Sequence, residues 1–372
     1  MKVPLTDLRA QYLTIRAEID PAIQNVIDTS QFVLGAAVSA FEQAFAAAHG
    51  VQHCIGVGSG TDALHLALWA QGVGPGDSVV TTPFTFIATA EMISLAGAKP
   101  VFVDIDPRTL TMDASRLADL LSSQDRKGGI KAVIPVHLYG CPADMDGILA
   151  LAGEYRVPVI EDACQAHLAR FNGKPVGSFG SAACFSFYPA KNLGAYGEAG
   201  AITTQDDALD AKIRQLRDHG QSAKYVHDVP GHNYRMDGIQ GAVLGVKMKY
   251  LSGWTTRRRE IARLYRSRLG GIEELTLPFE SPRLEQVYHQ FVIRTKVRAG
   301  LEKHLSSEGI STALHYPIPL HLQQAYAGLG YKRGDFPVSE MAAEQCISLP
   351  LYPEMTGEQI DYVVSAVQQF FR

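Results

Sequence analysis

The chain has 372 residues, of which 46% are hydrophobic and 19% are charged, and its formal net charge is −4. A chain of this size can bury a large core and is expected to form two domains, and its charge balance lacks the basic footprint of a nucleic-acid-binding protein. No apolar stretch is long enough to span a membrane, and the N-terminus MKVPLTDLRAQY lacks the apolar core of a secretory signal, so we expect a cytoplasmic protein. The five cysteines are scattered without a CxxC pair, which argues against a disulfide framework and against a zinc site.

Helical spacing marks the first part of the chain. The segments PAIQNVIDTSQFVLG (21–35) and VSAFEQAFAAAHG (38–50) are predicted helices, with Gly35 and Gly50 as their expected C-caps. Short β-rich runs follow, each succeeded by a turn or a helix: HCIGVG (53–58), SVVTTPF (78–84), PVFVDI (100–105), AVIPVH (132–137), PVIEDA (158–163), ACFSFY (183–188) and AITT (201–204). Strands that alternate with helices predict an α/β fold with a mostly parallel, seven-stranded sheet covered on both faces.

The pattern changes after about residue 240. A long helix is expected from Asp237 to Leu269, with Gly253 as a candidate break. A strand–helix–strand unit and a last helix then follow: QFVIRT (290–295), GLEKHLSSEG (300–309), STALHYP (311–317) and TGEQIDYVVSAVQQFF (356–371). We therefore predict a large α/β domain over residues 1–245 and a smaller C-terminal α+β domain over residues 246–372.

A glycine-rich turn, GSGTD (58–62), lies at the carboxyl end of the first predicted strand, where ligands bind in open α/β sheets. Glycines let the backbone approach a ligand closely, and a helix start offers free N–H groups and a positive dipole end. The turn is therefore a candidate phosphate cup, to which Thr61 could add a hydroxyl donor. The alternative is an ordinary strand–helix turn with a capping hydroxyl.

An acidic residue, Asp162, ends another predicted strand, and Gln165 follows it closely. A carboxylate at this place could stand beside the ring nitrogen of pyridoxal phosphate, which needs an anion there because its protonated ring is the electron sink. The alternative is that Asp162 caps the following turn.

A lysine, Lys191, stands in the segment SFYPAKNLG (186–194), where an aromatic strand runs into a turn with proline and glycine. A lysine that forms a Schiff base must sit on a rigid turn, and its pKa must be lowered so that it can act as nucleophile and base. The alternative is an exposed lysine in a loop. Phosphate cup, acidic strand end and lysine follow one another in this order along the chain. That order favours the cofactor-binding interpretation of each feature over its structural alternative.

The whole chain resembles the DegT/DnrJ/EryC1/StrS aminotransferases, which act on nucleotide-linked keto-sugars. The matching segments are GSGTDAL (58–64), TPFTFIATA (82–90), KPVFVDID (99–106), VHLYG (136–140), IEDACQAH (160–167), FSFYPAKNLGAYGEAG (185–200) and GHNYRMDGIQ (231–240). The resemblance implies the PLP-dependent transferase fold of type I, pyridoxal 5′-phosphate as cofactor and no metal.

Specific roles are implied where this sequence matches the family. Lys191 resembles the lysine that binds the cofactor, Asp162 the partner of the ring nitrogen, Phe86 the aromatic residue that stacks on the ring, and Gln165 a contact on the side of the ring hydroxyl.

The phosphate contacts are implied in the same way. Gly60 and Thr61 resemble residues that bind the cofactor phosphate through their backbone amides, and Ser186 resembles one that binds it through its hydroxyl. Asn233 resembles a residue that reaches the phosphate of the cofactor bound to the neighbouring subunit. A homodimer with shared active sites is therefore expected. The sequence departs from the family pattern at Ala190, Glu198, Gly238 and Gly241, and the two glycines are expected to loosen the start of the long helix.

The position of Tyr188, three residues before the lysine, bears on the substrate. The branch that aminates C4 of the sugar commonly has histidine there, so this chain resembles the branch that aminates C3 of a 3-keto sugar, with a dTDP-linked 6-deoxyhexose as the expected acceptor and L-glutamate as the donor. Candidate substrate contacts are Tyr225, His315 and Tyr316, which could instead pack structurally, and Arg235, which could bind a donor carboxylate or form an internal salt bridge.

Three other functions stay open on sequence grounds. One is amination at C4. A PLP-dependent sugar dehydratase of the same fold would replace the Schiff-base lysine with histidine, so Lys191 argues against it. A regulatory binding protein would have no need of the lysine, the acidic partner and the phosphate cup together.

Overall fold

The computed structural model describes residues 1–123 and 129–372. Its helices are α1 (Leu8–Thr29), α2 (Gly35–His49), α3 (Gly60–Ala70), α4 (Ala88–Leu95), α5 (Ala114–Ser122), α6 (Met145–Tyr155), α7 (Asp207–Arg217), α8 (Gly238–Leu269), α9 (Arg298–Ser307), α10 (Pro337–Gln345) and α11 (Gly357–Phe370). Short 3₁₀ turns lie at Leu138–Gly140, Leu320–Leu322 and Gln324–Leu329. The strands are β1 (His53–Val57), β2 (Ser78–Thr81), β3 (Lys99–Phe102), β4 (Ile130–Val133), β5 (Ile160–Asp162), β6 (Arg170–Phe171), β7 (Lys174–Pro175), β8 (Ala182–Ser186), β9 (Gly200–Thr204), β10 (Gln221–Ala223), β11 (Val226–His227), β12 (Leu284–Glu285), β13 (Phe291–Arg294) and β14 (Cys346–Leu349).

The central sheet has the order β1-β9-β8-β5-β4-β2-β3. Four of these strands form one ladder and three form another, and the parallel bridges Val133–Val159 and Val136–Asp162 join the two. Only β9 runs antiparallel to its neighbours β1 and β8. The prediction of a mostly parallel seven-stranded sheet is confirmed, and each of the seven β-rich runs overlaps one of its strands.

Helices cover both faces of this sheet. Successive residues of β8 point to opposite faces, because Cys184 packs in a cluster with helices α3, α4 and α7, whereas Ala183 and Phe185 pack in a second cluster with α2 and α8. The members of both clusters are buried. A sheet buried on both faces holds its strand ends rigidly, and the functional residues below stand on those ends.

The N-terminal helices differ from expectation. Helix α1 begins at Leu8, where the side chain of Asp7 accepts the N–H of Ala10 at 2.9 Å, and it continues through Pro21 instead of starting there. It ends at Ser30 in the left-handed conformation, so the prediction of Gly35 as a C-cap is wrong. Gly35 is the first residue of α2, whereas Gly50 caps α2 as predicted, with φ 62°.

Helix α8 spans the predicted residues without a break at Gly253. The expectation that Gly238 and Gly241 loosen its start is wrong, because both are contact points. A Cβ on Gly238 would clash with the carbonyl oxygen of Gln31, and one on Gly241 would lie 2.8 Å from Cα of Val38. The missing side chains thus let α8 pack directly on the connection between α1 and α2.

The C-terminal part has its own apolar cluster, built on β13, β14, α9, α11 and the end of α8. The predicted strand over STALHYP is wrong, since that segment contributes only an isolated bridge between Ala313 and Ser348. The partner of β13 is instead β14, in antiparallel register. Thr356 caps α11 with a reciprocal capping box. Across the described residues, no helix combines the length and apolarity that crossing a membrane requires.

Candidate active site

The glycine-rich turn stands at the start of helix α3. Ser59 caps this helix by accepting the N–H of Asp62 at 3.0 Å, which leaves the first-turn amides of Gly60 and Thr61 without acceptors inside the helix. A Cβ added to Gly60 would lie only 2.6 Å from Cβ of Ser186, so the missing side chain brings the helix start against the end of β8. The helix start, with the amides of Gly60 and Thr61, therefore adjoins the residue that carries the Ser186 hydroxyl, an arrangement suited to an anion.

Asp162 ends β5 and is almost fully buried. Its Oδ2 accepts the hydroxyl of Thr89 at 2.7 Å, and its Oδ1 accepts the N–H of Cys164 at 3.2 Å. Thr89 is itself within 3.2 Å of the hydroxyl of Thr85. These contacts fix the orientation of the carboxylate. The contact with Cys164 also shows that Asp162 caps the turn that follows it, which was the alternative interpretation of this residue.

Lys191 lies on a turn directly after β8, with its N–H donated to the carbonyl of Tyr188 at 2.8 Å. Burial lowers the pKa of its amine, while the nearby Cys164 and Asp162 act in the opposite direction. An amine with a lowered pKa beside a fixed carboxylate is unlike the exposed loop lysine of the alternative reading. Burial of Lys191 thus favours the neutral form of its amine, the form that can act as a nucleophile.

Gln165 links two parts of the site. Its Oε1 accepts the N–H of Tyr139 at 2.7 Å, and its Nε2 donates to the hydroxyl of Tyr316 at 3.2 Å. The ring of Tyr316 lies 5.8 Å from that of Phe86, whose side chain is 52% exposed. Tyr316 and Phe86 thus form an aromatic wall, supported from the C-terminal part of the chain and adjacent to Asp162.

Two buried histidines, His167 and His289, and the partly buried His315 lie close enough to Lys191 for its charge to act on them. Burial and then the charge of Lys191 lower the pKa of His315 to about 4 and that of His167 to about 3, and the pKa of His289 lies well below its usual value for the same reasons. Nδ1 of His315 is 2.8 Å from the hydroxyl of Ser348, while Nε2 of His167 is 2.9 Å from the carbonyl of Ser186. All three are therefore neutral near pH 7 and add no charge that would compete with Lys191.

The remaining predicted residues lie at the rim. Tyr188 is half exposed, and Tyr225, on the β10–β11 hairpin, is 83% exposed. Asn233 is exposed on a segment whose neighbour Tyr234 accepts the N–H of Gly58. Arg235 forms an ion pair with Asp218 at 2.6 Å, which is the structural alternative named above. The structure thus gathers the core of the predicted site but leaves Tyr225 and Asn233 facing outward.

Comparison with known proteins decides the family. The model of the DegT/DnrJ/EryC1/StrS aminotransferase family matches residues 13–368. The chain belongs to this family. As a DegT/DnrJ/EryC1/StrS member it is an aminotransferase, and pyridoxal phosphate is its cofactor.

Relatives of the same family match the chain from end to end. A pleiotropic regulatory protein of Geobacillus stearothermophilus is 47% identical, covering 100% of this chain and 99% of its own. The UDP-N-acetyl-3-dehydro-alpha-D-glucosamine 3-aminotransferase of Acidithiobacillus ferrooxidans is 43% identical (99% and 97% covered), and the dTDP-3-amino-3,4,6-trideoxy-alpha-D-glucose transaminase of Streptomyces venezuelae is 42% identical (99% and 96%). The crystal structure of DesV from S. venezuelae, in complex with a ketimine intermediate, superposes with a TM-score of 0.96 at 41% identity, covering 100% of this chain and 99% of that one.

Several residues of the site were missed by sequence reasoning. Thr89 lies inside the segment TPFTFIATA, but its contact with Asp162 joins positions 73 residues apart in the chain. His289 comes from the C-terminal part, outside every matched motif, and its Nδ1 has no hydrogen-bond partner among the described residues. Only the folded chain shows that these side chains belong to the site.

Proposed function

We propose that this chain transfers an amino group from L-glutamate to a nucleotide-linked 3-keto sugar, with a dTDP-linked 3-keto-6-deoxyhexose as the acceptor. The observation that carries the proposal is the convergence of a buried lysine amine, an oriented carboxylate and an anion-binding helix start at one sheet edge. Binding alone would not require a lysine whose pKa is lowered.

The residues fit the cofactor. The start of α3 would hold the phosphate through the amides of Gly60 and Thr61 and the hydroxyl of Ser186, and a Cβ at Gly60 would push this helix start away from Ser186. Asp162 would face the ring nitrogen, with Phe86 on the ring face and Gln165 near the ring hydroxyl. Bound there, pyridoxal phosphate supplies an electron sink for the carbanion.

Lys191 would move the proton in both half-reactions. Burial lowers the pKa of its amine, which raises the neutral fraction able to accept a proton from the donor Cα. The protonated amine would pass this proton on to the cofactor within the first half-reaction. In the second half the neutral amine would take a proton back from the cofactor and deliver it to the sugar carbon that receives the amino group. Because His315, His167 and His289 are neutral, these side chains add no cationic charge beside Lys191.

Amination at C3 is supported by Tyr188 and by the names of relatives. Tyr188 offers a neutral hydroxyl at the rim, where an imidazole would present a different shape and hydrogen-bonding pattern. Tyr316 and His315 lie on the adjacent side of the site, whereas Arg235 is already engaged by Asp218. Two of the relatives described above carry names that place the amino group at C3.

A homodimer with shared sites is part of this proposal. Asn233 and Tyr225 are exposed at the surface, and Phe32 and Val33 are about half exposed beside the start of α8. Exposed apolar and aromatic side chains grouped in this way are typical of an interface. We further propose that the chain divides within α8, near residue 245, and that the enzyme works in the cytoplasm.

The proposal is tested by incubating the purified protein with L-glutamate and dTDP-, UDP- and GDP-linked 3-keto and 4-keto sugars, followed by mass analysis. We expect the amino sugar from a dTDP-linked 3-keto sugar and a bleaching of the visible cofactor absorbance by glutamate alone. Preferential turnover of 4-keto sugars would favour the C4 alternative. A protein that binds the sugar without any spectral change with glutamate would instead be a regulatory binder, as the name of the Geobacillus relative suggests for that protein.

A further inference from the structure

A lysine outside the site described so far is completely buried. Lys247, in the middle of α8, is 1% exposed. Its Nζ donates to the carbonyl oxygen of Gly194 at 2.7 Å and lies 4.3 Å from the ring centroid of Tyr196. Lysine is almost never fully buried without a partner, and these two contacts supply the partners. An apolar side chain would pack here at lower cost, so the presence of a buried lysine points to a role beyond packing.

Both contacts fall on the segment that carries Lys191, here called the lysine turn (residues 188–197). Gln240, two helical turns before Lys247 on the same face of α8, accepts the N–H of Tyr196 at 2.9 Å. The lysine turn is also folded on itself, because a Cβ on Gly194 would clash with the carbonyl of Pro189. A shift at Gly194 would therefore be passed to Pro189 and so to the neighbouring Lys191.

The ammonium of Lys247 is matched to these partners. A carbonyl oxygen accepts one of its protons, and the face of Tyr196 lies within the range of a cation–π contact. The other charged or titratable group that acts on Lys247 is Glu354, in the segment before α11, and Glu354 in turn faces Arg258. Burial lowers the pKa of Lys247 to about 8, and Glu354 opposes this shift. The amine of Lys247 is therefore protonated at neutral pH.

We propose that Lys247 is a positioning residue for the transaminase reaction, which fixes the lysine turn to helix α8 through the carbonyl of Gly194 and the ring of Tyr196. This rests on the proposed function only in so far as Lys191 is the reacting amine. Lys247 touches neither substrate nor cofactor. It acts by limiting the positions that the turn, and therefore the amine of Lys191, can take.

The test uses Lys247→Met, which keeps the apolar stem and removes the charge, with Lys249→Met as the matched control. Lys249 lies on the same helix but is exposed and pairs with Glu18 at 2.6 Å. Hydrogen exchange of the cofactor-free protein should be several-fold faster in the lysine turn of Lys247→Met and unchanged in the control. In the wild type the exchange protection should also weaken as the pH rises through about 8.

Kinetics give the second readout. A misplaced amine should lower kcat about ten- to a hundred-fold with little change in the KM for L-glutamate. If Lys247→Met does not fold, Tyr196→Leu and Tyr196→Phe replace it, because Tyr196 is a partly exposed residue. The leucine variant should lower kcat and the phenylalanine variant, which keeps the ring, should not. Unchanged exchange and kcat in Lys247→Met and Tyr196→Leu, or equal losses in Lys249→Met, would overturn the proposal. A wild type without turnover would instead count against the proposed function, while the exchange result would stand.

Discussion

The strand-end site (around Gly60, Asp162 and Lys191) and the apolar cluster of the C-terminal part are built in different ways. The site is held by directed contacts to polar atoms, such as the hydroxyl of Thr89 on Asp162. The C-terminal cluster is held by the packing of apolar side chains such as Leu301 and Ile347. Substitutions should accordingly change chemistry at the first region and stability at the second, and each prediction below tests that division.

The largest effect is expected at Lys191. Lys191→Arg keeps a cation but cannot form a Schiff base at neutral pH, because the guanidinium stays protonated. Turnover and the visible absorbance of the bound cofactor should both be lost, while the unfolding midpoint in urea should change little. Activity close to that of the wild type would show that Lys191 is not the residue that binds the cofactor.

Asp162→Asn should have the next largest effect. The neutral amide cannot stabilise a protonated ring nitrogen, and removing such an electrostatic contact costs about a hundred-fold or more in kcat. Thr89→Val, which removes one hydrogen bond to the carboxylate, should cost much less. Steady-state kinetics measure the loss of kcat in each of the two variants. An equal loss of kcat in both would show that the orientation of Asp162 matters as much as its charge.

Leu301→Ala tests the other region. Leu301 is fully buried on α9, and truncation of such a leucine typically lowers the free energy of unfolding by about 2–5 kcal/mol. The folded fraction should retain its cofactor absorbance. Lys303→Ala, at an exposed position of the same helix, is the control for urea denaturation. A cofactor lost from the folded Leu301→Ala protein would show that the two regions are coupled.

The last effect is expected only at acid pH. Burial lowers the pKa of His49 to about 4, so the unfolded state binds the proton first and stability is lost as the pH falls from about 6.5 towards 4. His49 contributes on the order of 3 kcal/mol to that loss. The urea midpoint of the cofactor-free protein should fall over this range, and less steeply in His49→Gln. If the urea midpoint of His49→Gln fell with pH as steeply as that of the wild type, groups other than His49 would be responsible for the acid sensitivity.

Local patterns predicted the strands of the central sheet and the order of the three strand-end features, because alternation and turn residues are encoded over a few positions. The order of strands in the sheet and the contact of Thr89 with Asp162 could not be predicted, since both depend on chain segments far apart in sequence. The glycines at 238 and 241 were misread for the same reason: their function is an approach to α1 and α2 that only the packed helices show. The polar contacts of the candidate site are thus its least predictable part, whereas the sequence already placed Gly60, Asp162 and Lys191 at or after the ends of strands.

The most direct test of the account is borohydride reduction of the purified, cofactor-loaded protein, followed by peptide mass mapping. The account predicts a pyridoxyl group on the peptide that contains Lys191 and, in the Lys191→Arg protein, none. A pyridoxyl group found on another lysine, or an unmodified wild-type protein, would contradict it.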